Sequence, residues 1–109
     1  MRKNTYALRY LPLFYEELEH DISYIASDLK NPGSALVLLD EVEAAILKRL
    51  DDGPEIFEKV PSHKKRAFPY YRIYVRNYII YYVVLEENGK KIMEVRRFRN
   101  AREDRTKDI

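Results

Sequence analysis

One stretch constrains this chain more than any other: Ala67 to Leu85, AFPYYRIYVRNYIIYYVVL. It carries six of the ten tyrosines and, with Arg66 at its border, three arginines, and it contains no acid. It reads as two strands joined at Arg76-Asn77. The second, YIIYYVVL, is an unbroken β-branched and aromatic run, the pattern of a central strand buried on both faces. The first alternates. Tyr70, Arg72, Tyr74 and Arg76 point one way, and Tyr71, Ile73 and Val75 the other. One face is therefore core, and the other is a cationic, aromatic platform.

The rest of the chain reads as what covers that sheet. Thr5 to Tyr10 alternates, with Tyr6, Leu8 and Tyr10 on one face, and predicts a short strand. Pro12 suits the first turn of a helix, where its missing N–H costs nothing. Tyr15, Leu18, Ile22, Ile25 and Leu29 then recur at helical spacing. Lys30-Asn31-Pro32-Gly33 breaks this helix, and Asn31 can cap the next with Pro32 at its first position. The second helix has a wide stripe of Ala35, Leu38, Leu39, Val42, Ala45, Ile46 and Leu50, ended by Asp52-Gly53-Pro54. So short a link predicts an antiparallel helical hairpin.

Residues 54–66 read as a loop. Asn88-Gly89 marks a tight hairpin turn. Lys91 to Phe98 is the last strand, with Met93 and Val95 facing one way and Glu94, Arg96 and Phe98 the other. Arg99 to Ile109 is a charged tail. The predicted fold class is α+β, in the order β-α-α-β-β-β, with the helices on one face of a mostly antiparallel sheet. The 109 residues form one domain, because neither two helices nor three strands alone would cover their apolar faces.

Charge is distributed unevenly. Residues 1–58 carry 6 Lys and Arg against 12 Asp and Glu, net −6; residues 59–109 carry 14 against 6, net +8. The basic half can seek an anionic partner, or it can simply be solvated. The absence of cysteine removes disulfides and thiolate metal sites, and fits a reducing cytoplasm. No apolar run approaches the length of a bilayer span, and no signal peptide is read at the N-terminus.

Catalytic motifs are lacking. There is no glycine-rich phosphate loop and no paired-histidine metal motif, and no cofactor is expected. His20, between Glu19 and Asp21, reads as a surface residue. His63 stands beside Lys64, Lys65 and Arg66, whose charges would keep it neutral and able to act as a general base; a solvated loop histidine is the alternative. Tyr70, Arg72, Tyr74, Arg76, Arg96 and Arg99 are the candidate binding residues. Arginine beside tyrosine can neutralise phosphates and stack on bases, but tyrosine-rich strands also suit a protein partner.

Three strings, taken in order, carry a resemblance. They are EELEHDISYIASDLKNPGSALVLLDEVEAAILKRLDDGPE, YYRIYVRNYIIYYVV and EVRRFRNARED. Together they resemble the RelE/ParE superfamily of toxins from bacterial type II toxin–antitoxin modules over nearly the whole chain. The resemblance implies a toxin neutralised by a cognate antitoxin protein, as a hetero-oligomer, with a homodimer also open. It implies one of two targets. RelE-like members cleave mRNA on the ribosome; ParE-like members inhibit DNA gyrase without nuclease chemistry. Against the RelE pattern, Ile79 stands where an arginine is usual, and Asn100 replaces a basic or histidine residue. Arg72 and Arg102 match cationic positions, so a ribonuclease would use Arg72, Arg102 and His63. These departures place the chain nearer ParE than RelE. A partner-binding relative without toxicity is the third reading.

Overall fold

The computed structural model describes residues 6–61 and 67–103. Strand β1 (Ala7–Tyr10) leads into helix α1 (Pro12–Ser23), which continues as a π-helical turn, Tyr24–Asp28. Helix α2 spans Pro32–Asp52 and is followed by β2 (Tyr71–Val75), β3 (Tyr78–Glu87) and β4 (Lys90–Asn100). The sheet order is β1-β4-β3-β2, with β1 parallel to β4 and the other pairs antiparallel. Two helices on a four-stranded mixed sheet give the expected α+β architecture.

The local signals act as read. Pro12 and Pro32 open the helices, and the Asn31 side chain accepts the Ser34 N–H at 3.2 Å. Gly53 caps α2 at φ 109°, a value costly for residues with a Cβ. Asn88 and Gly89 both have positive φ, as the tight turn between twisted strands requires.

The core between helices and sheet contains Phe14, Leu18, Leu38, Val42 and Ile46 against Tyr71, Ile73, Val75, Ile80, Tyr82, Met93, Val95 and Phe98. The α2 stripe is the predicted one. The α1 stripe is shifted: Phe14, not Tyr15, is its buried start, and Leu29 is exposed. The π-helical turn holds one extra residue per loop of backbone, so the spacing that would have brought Leu29 inward loses its phase.

β3 is buried on both faces from Ile79 to Val83, as its composition demanded. Phe98 is a correction. A bulge between Tyr81 and Tyr82 pairs Tyr82 with Val95 but Ile80 with Phe98. The extra residue, Arg96, returns Phe98 to the helix-facing side, where its ring meets Phe14 edge-on. β4 also runs two residues beyond the expected end, because Arg99 and Asn100 still pair with Ile79 and Tyr78.

The segment after α2 folds over the edge of β2. Lys59 bridges to Tyr71, and the Val60 N–H donates to the Tyr70 carbonyl at 2.7 Å. Val60 then packs with Ile79, Tyr81 and Tyr70 in a second, smaller cluster on the sheet face away from the helices.

Candidate functional site

The outer sheet face was read as a cationic, aromatic platform. Its centre is instead filled. Tyr81 is fully buried and Ile79 is only 6% exposed. Ile79, the position singled out for lacking arginine, serves this small core.

Most of the cations on and around the sheet are held internally. Glu94, 4% exposed, lies between two arginines: Arg9 Nη2 at 2.7 Å and Arg96 Nε at 2.7 Å. Arg9 also pairs with Glu87 at 3.1 Å, which pushes the Glu87 carboxyl below its usual range. Burial works against the Arg96 charge, but hydrogen bonds to Tyr70 and Glu94 outweigh it and raise its pKa. The Arg96 guanidinium also lies 5.9 Å from the Tyr70 ring centre. Arg97 pairs with Glu17 at 2.7 Å.

Arg76 departs from the predicted face. β2 ends at Val75, and Arg76 occupies the turn at φ 53°. From there its guanidinium reaches Glu41 of α2, holding that carboxyl below and the arginine above their ordinary values. Arg72 and Arg76 therefore do not share a surface.

What remains available is a border of the outer face. Tyr74 is 63% exposed, and the Arg72 guanidinium lies 5.7 Å from its ring centre. In register, Tyr74 is followed across the sheet by Ile79 and then Arg99. The Ala101 N–H donates to the Asn77 carbonyl at 2.7 Å, which brings the turn bearing Arg102 beside the β2–β3 turn. Arg99 reaches the Glu103 carbonyl at 3.3 Å, and the Arg102 N–H is held by Asn100 Oδ1 at 2.9 Å. Among the described residues, Arg72, Arg99 and Arg102 have no carboxylate partner in an ion pair.

Arg72 and Arg102 are not set side by side. Arg72 is level with Tyr81 and Arg97, whereas Asn100 is level with Tyr78. The backbone separation is about 10 Å along the strands and about 10 Å across them. His63 lies outside the described residues, and among the described residues neither Arg72 nor Arg102 has a side-chain proton-transfer partner. No group of His, Cys, Asp or Glu among the described residues could hold a metal ion.

Two further features were not legible beforehand. Arg49, from the last turn of α2, donates to the Tyr82 hydroxyl at 2.9 Å and the Arg72 carbonyl at 3.2 Å, with its guanidinium 3.6 Å from the Phe57 ring centre. Nothing in its sequence neighbourhood signals this. Glu94 had a signal: a lone acid two residues from Arg96 on one strand face. The second feature is a groove of about 420 Å³ between α1 and α2, with Phe14, Leu18, Val42 and Ile46 at its base and Tyr15, Asp40 and Glu43 at its rim.

Among the described residues, no helix is long and apolar enough to cross a membrane. No curated protein and no solved structure is significantly similar to the chain. A family model described as "ParE toxin of type II toxin-antitoxin system, parDE" matches residues 8–105. That span takes in both helices and every strand but the first residue of β1, together with the outer face and its cationic border. The chain thus belongs to the ParE toxin family of type II toxin–antitoxin systems.

Proposed function

We propose that this protein arrests growth by binding its target rather than by cutting RNA, with the border formed by Arg72, Tyr74, Arg99 and Arg102 as the contact surface. The observation that carries this reading is the internal neutralisation of Arg9, Arg76, Arg96 and Arg97 by Glu87, Glu94, Glu41 and Glu17. A polyanion track needs free cations in sequence along a surface. Here the free ones flank an exposed tyrosine, the residue pairing enriched at protein interfaces. DNA gyrase is the target that the family resemblance suggests. A cognate antitoxin neutralises the toxin, and the acidic-rimmed groove between α1 and α2 suits a basic amphipathic segment of it.

The test is expression of the chain alone, followed by a growth assay and a supercoiling assay with purified gyrase. Arrest with inhibited supercoiling is expected, relieved by the antitoxin. Normal growth at confirmed expression overturns the toxin activity. Arrest with unaffected gyrase overturns the target, and codon-phased cuts in translated mRNA would install the ribosome-dependent nuclease in its place.

A further inference from the structure

Glu17, Glu41, Asp52, Glu55, Glu87 and Glu94 each meet a lysine or arginine of the chain itself. Asp40 and Glu43 have no hydrogen bond or ion pair among the described residues. Both are exposed, and their spacing of three places them on one face of α2. That face is the rim of the groove between α1 and α2.

The wall of the groove at the start of α1 is aromatic. Pro12 starts the helix two residues after Tyr10, and the first turn then brings Phe14 and Tyr15 against the Tyr10 ring. The Tyr10 and Tyr15 ring centres are 5.2 Å apart with planes tilted by 38°, and Phe14 meets Tyr15 edge-on at 5.7 Å. Phe14 is buried beneath them, while Tyr15 is exposed. Burial first, then Tyr15 and Glu43, hold the Tyr10 hydroxyl above its ordinary pKa, so the phenol stays neutral and the Glu43 carboxylate lies close to the ring cluster. Ring faces carry negative potential, as the carboxylates do, and the groove base is apolar. The group that satisfies all three is a cation on an apolar stem.

We infer that this corner of the groove is an anchoring pocket for one arginine side chain of the antitoxin, its guanidinium set against Tyr15 and Glu43. The inference rests on the proposal that the groove takes a basic segment of the antitoxin, and it names the residue such a segment carries. Arginine fits better than lysine, because its planar head stacks on a ring and forks onto a carboxylate while remaining weakly hydrated. Asp40, nearly one turn away on the same face, adds to the field without competing for the ring.

The test titrates the full chain with a synthetic alanine-based helical peptide about four turns long. It carries leucines at every third and fourth position and one arginine at the edge of the leucine stripe. A second peptide has citrulline there, which keeps the shape of arginine without its charge. Chemical shifts of Tyr10, Phe14 and Leu39 locate the bound peptide. The arginine peptide should bind in the groove about tenfold more tightly than the citrulline peptide. Glu43→Gln should abolish that preference, and Tyr15→Leu, which keeps apolar area but removes the ring face, should reduce it about threefold. Both side chains are exposed, so neither variant should disturb the fold. Glu19→Gln makes the same charge change on the exposed side of α1 and should leave the preference intact. Equal binding of the two peptides overturns the arginine pocket and leaves the groove as a docking site. An equal loss in Glu19→Gln and Glu43→Gln also overturns it, since net charge alone would then account for the preference. Binding of neither peptide removes the docking proposal and the pocket together.

Discussion

Glu17 of α1 accepts the main-chain N–H of Phe98 at 3.0 Å while its carboxylate also receives the Arg97 guanidinium. β1 pairs with β4 only as far as Val95, so the edge of β4 beyond it has no strand neighbour. A helix carboxylate takes that place. The contact joins the acidic half of the sequence to the basic half. Glu17→Ala should destabilise the fold by about 1–3 kcal/mol, the range for charge-assisted hydrogen bonds. Glu17→Gln, which retains an acceptor for Phe98, should lose less. Urea denaturation of the three proteins measures both.

Glu94 neutralises two arginines at once. Glu94→Ala should cost about 2–4 kcal/mol, less than a fully buried stranded charge because Arg9 reaches solvent. The same change frees Arg96 and part of Arg9 on the outer face. Glu94→Gln should therefore bind single-stranded RNA or DNA more tightly than wild type, with a steeper salt dependence, in a fluorescence anisotropy titration.

The cationic border can be separated from stability. Arg72→Glu, Tyr74→Ala and Arg102→Glu alter exposed or half-exposed side chains with no carboxylate partners among the described residues. Each should shift the denaturation midpoint little, with stability changes of about 0.5 kcal/mol or less for Arg102→Glu. The Arg72→Glu and Arg102→Glu pair should weaken growth arrest and gyrase inhibition by tenfold or more, on the scale of about 1.4 kcal/mol of lost contact. Full activity in that double variant would remove this border as the contact surface.

Acid should loosen the tie between Tyr6, just before β1, the segment after α2 and β4. Glu55 accepts from Lys91 at 2.6 Å and from the Tyr6 hydroxyl at 2.7 Å, and the Lys91 bond first, then that of Tyr6, holds its carboxyl below the ordinary glutamate range. The unfolded chain then takes up this proton at a higher pH than the folded one. The contribution is complete above the unfolded value and is lost as pH falls through the depressed one. Glu41 and Glu87, lowered by Arg76 and Arg9, act in the same direction. Stability measured by urea should decline from about pH 5 downward, and Glu55→Gln should flatten part of that decline.

The register of β4 shows how far local reading reaches. Hairpin turns, helix caps and the α2 stripe depend on residues within a few positions of one another, and each was legible. So was the double burial of β3, because a run such as YIIYYVVL fits few other environments. The side assigned to Phe98 was not, since one bulged residue reverses every later side chain and no local string announces it. Arg76 likewise follows strand alternation on paper, but the strand ends one residue earlier and a helix carboxylate lies within reach.

The candidate site divides along the same line. The sequence by itself determined the element order, the family resemblance, and the set of arginines and tyrosines from which any surface must be drawn. It also singled out Ile79, through the resemblance alone, as a position where arginine would be expected of a nuclease-like member. Only the tertiary structure decided which of those arginines are free. Glu17 and Arg97 are 80 residues apart, Arg9 and Glu94 are 85 apart, and Arg49 and Tyr82 are 33 apart. Charge neutralisation depends on distance in space, and net charge summed along the chain does not register it.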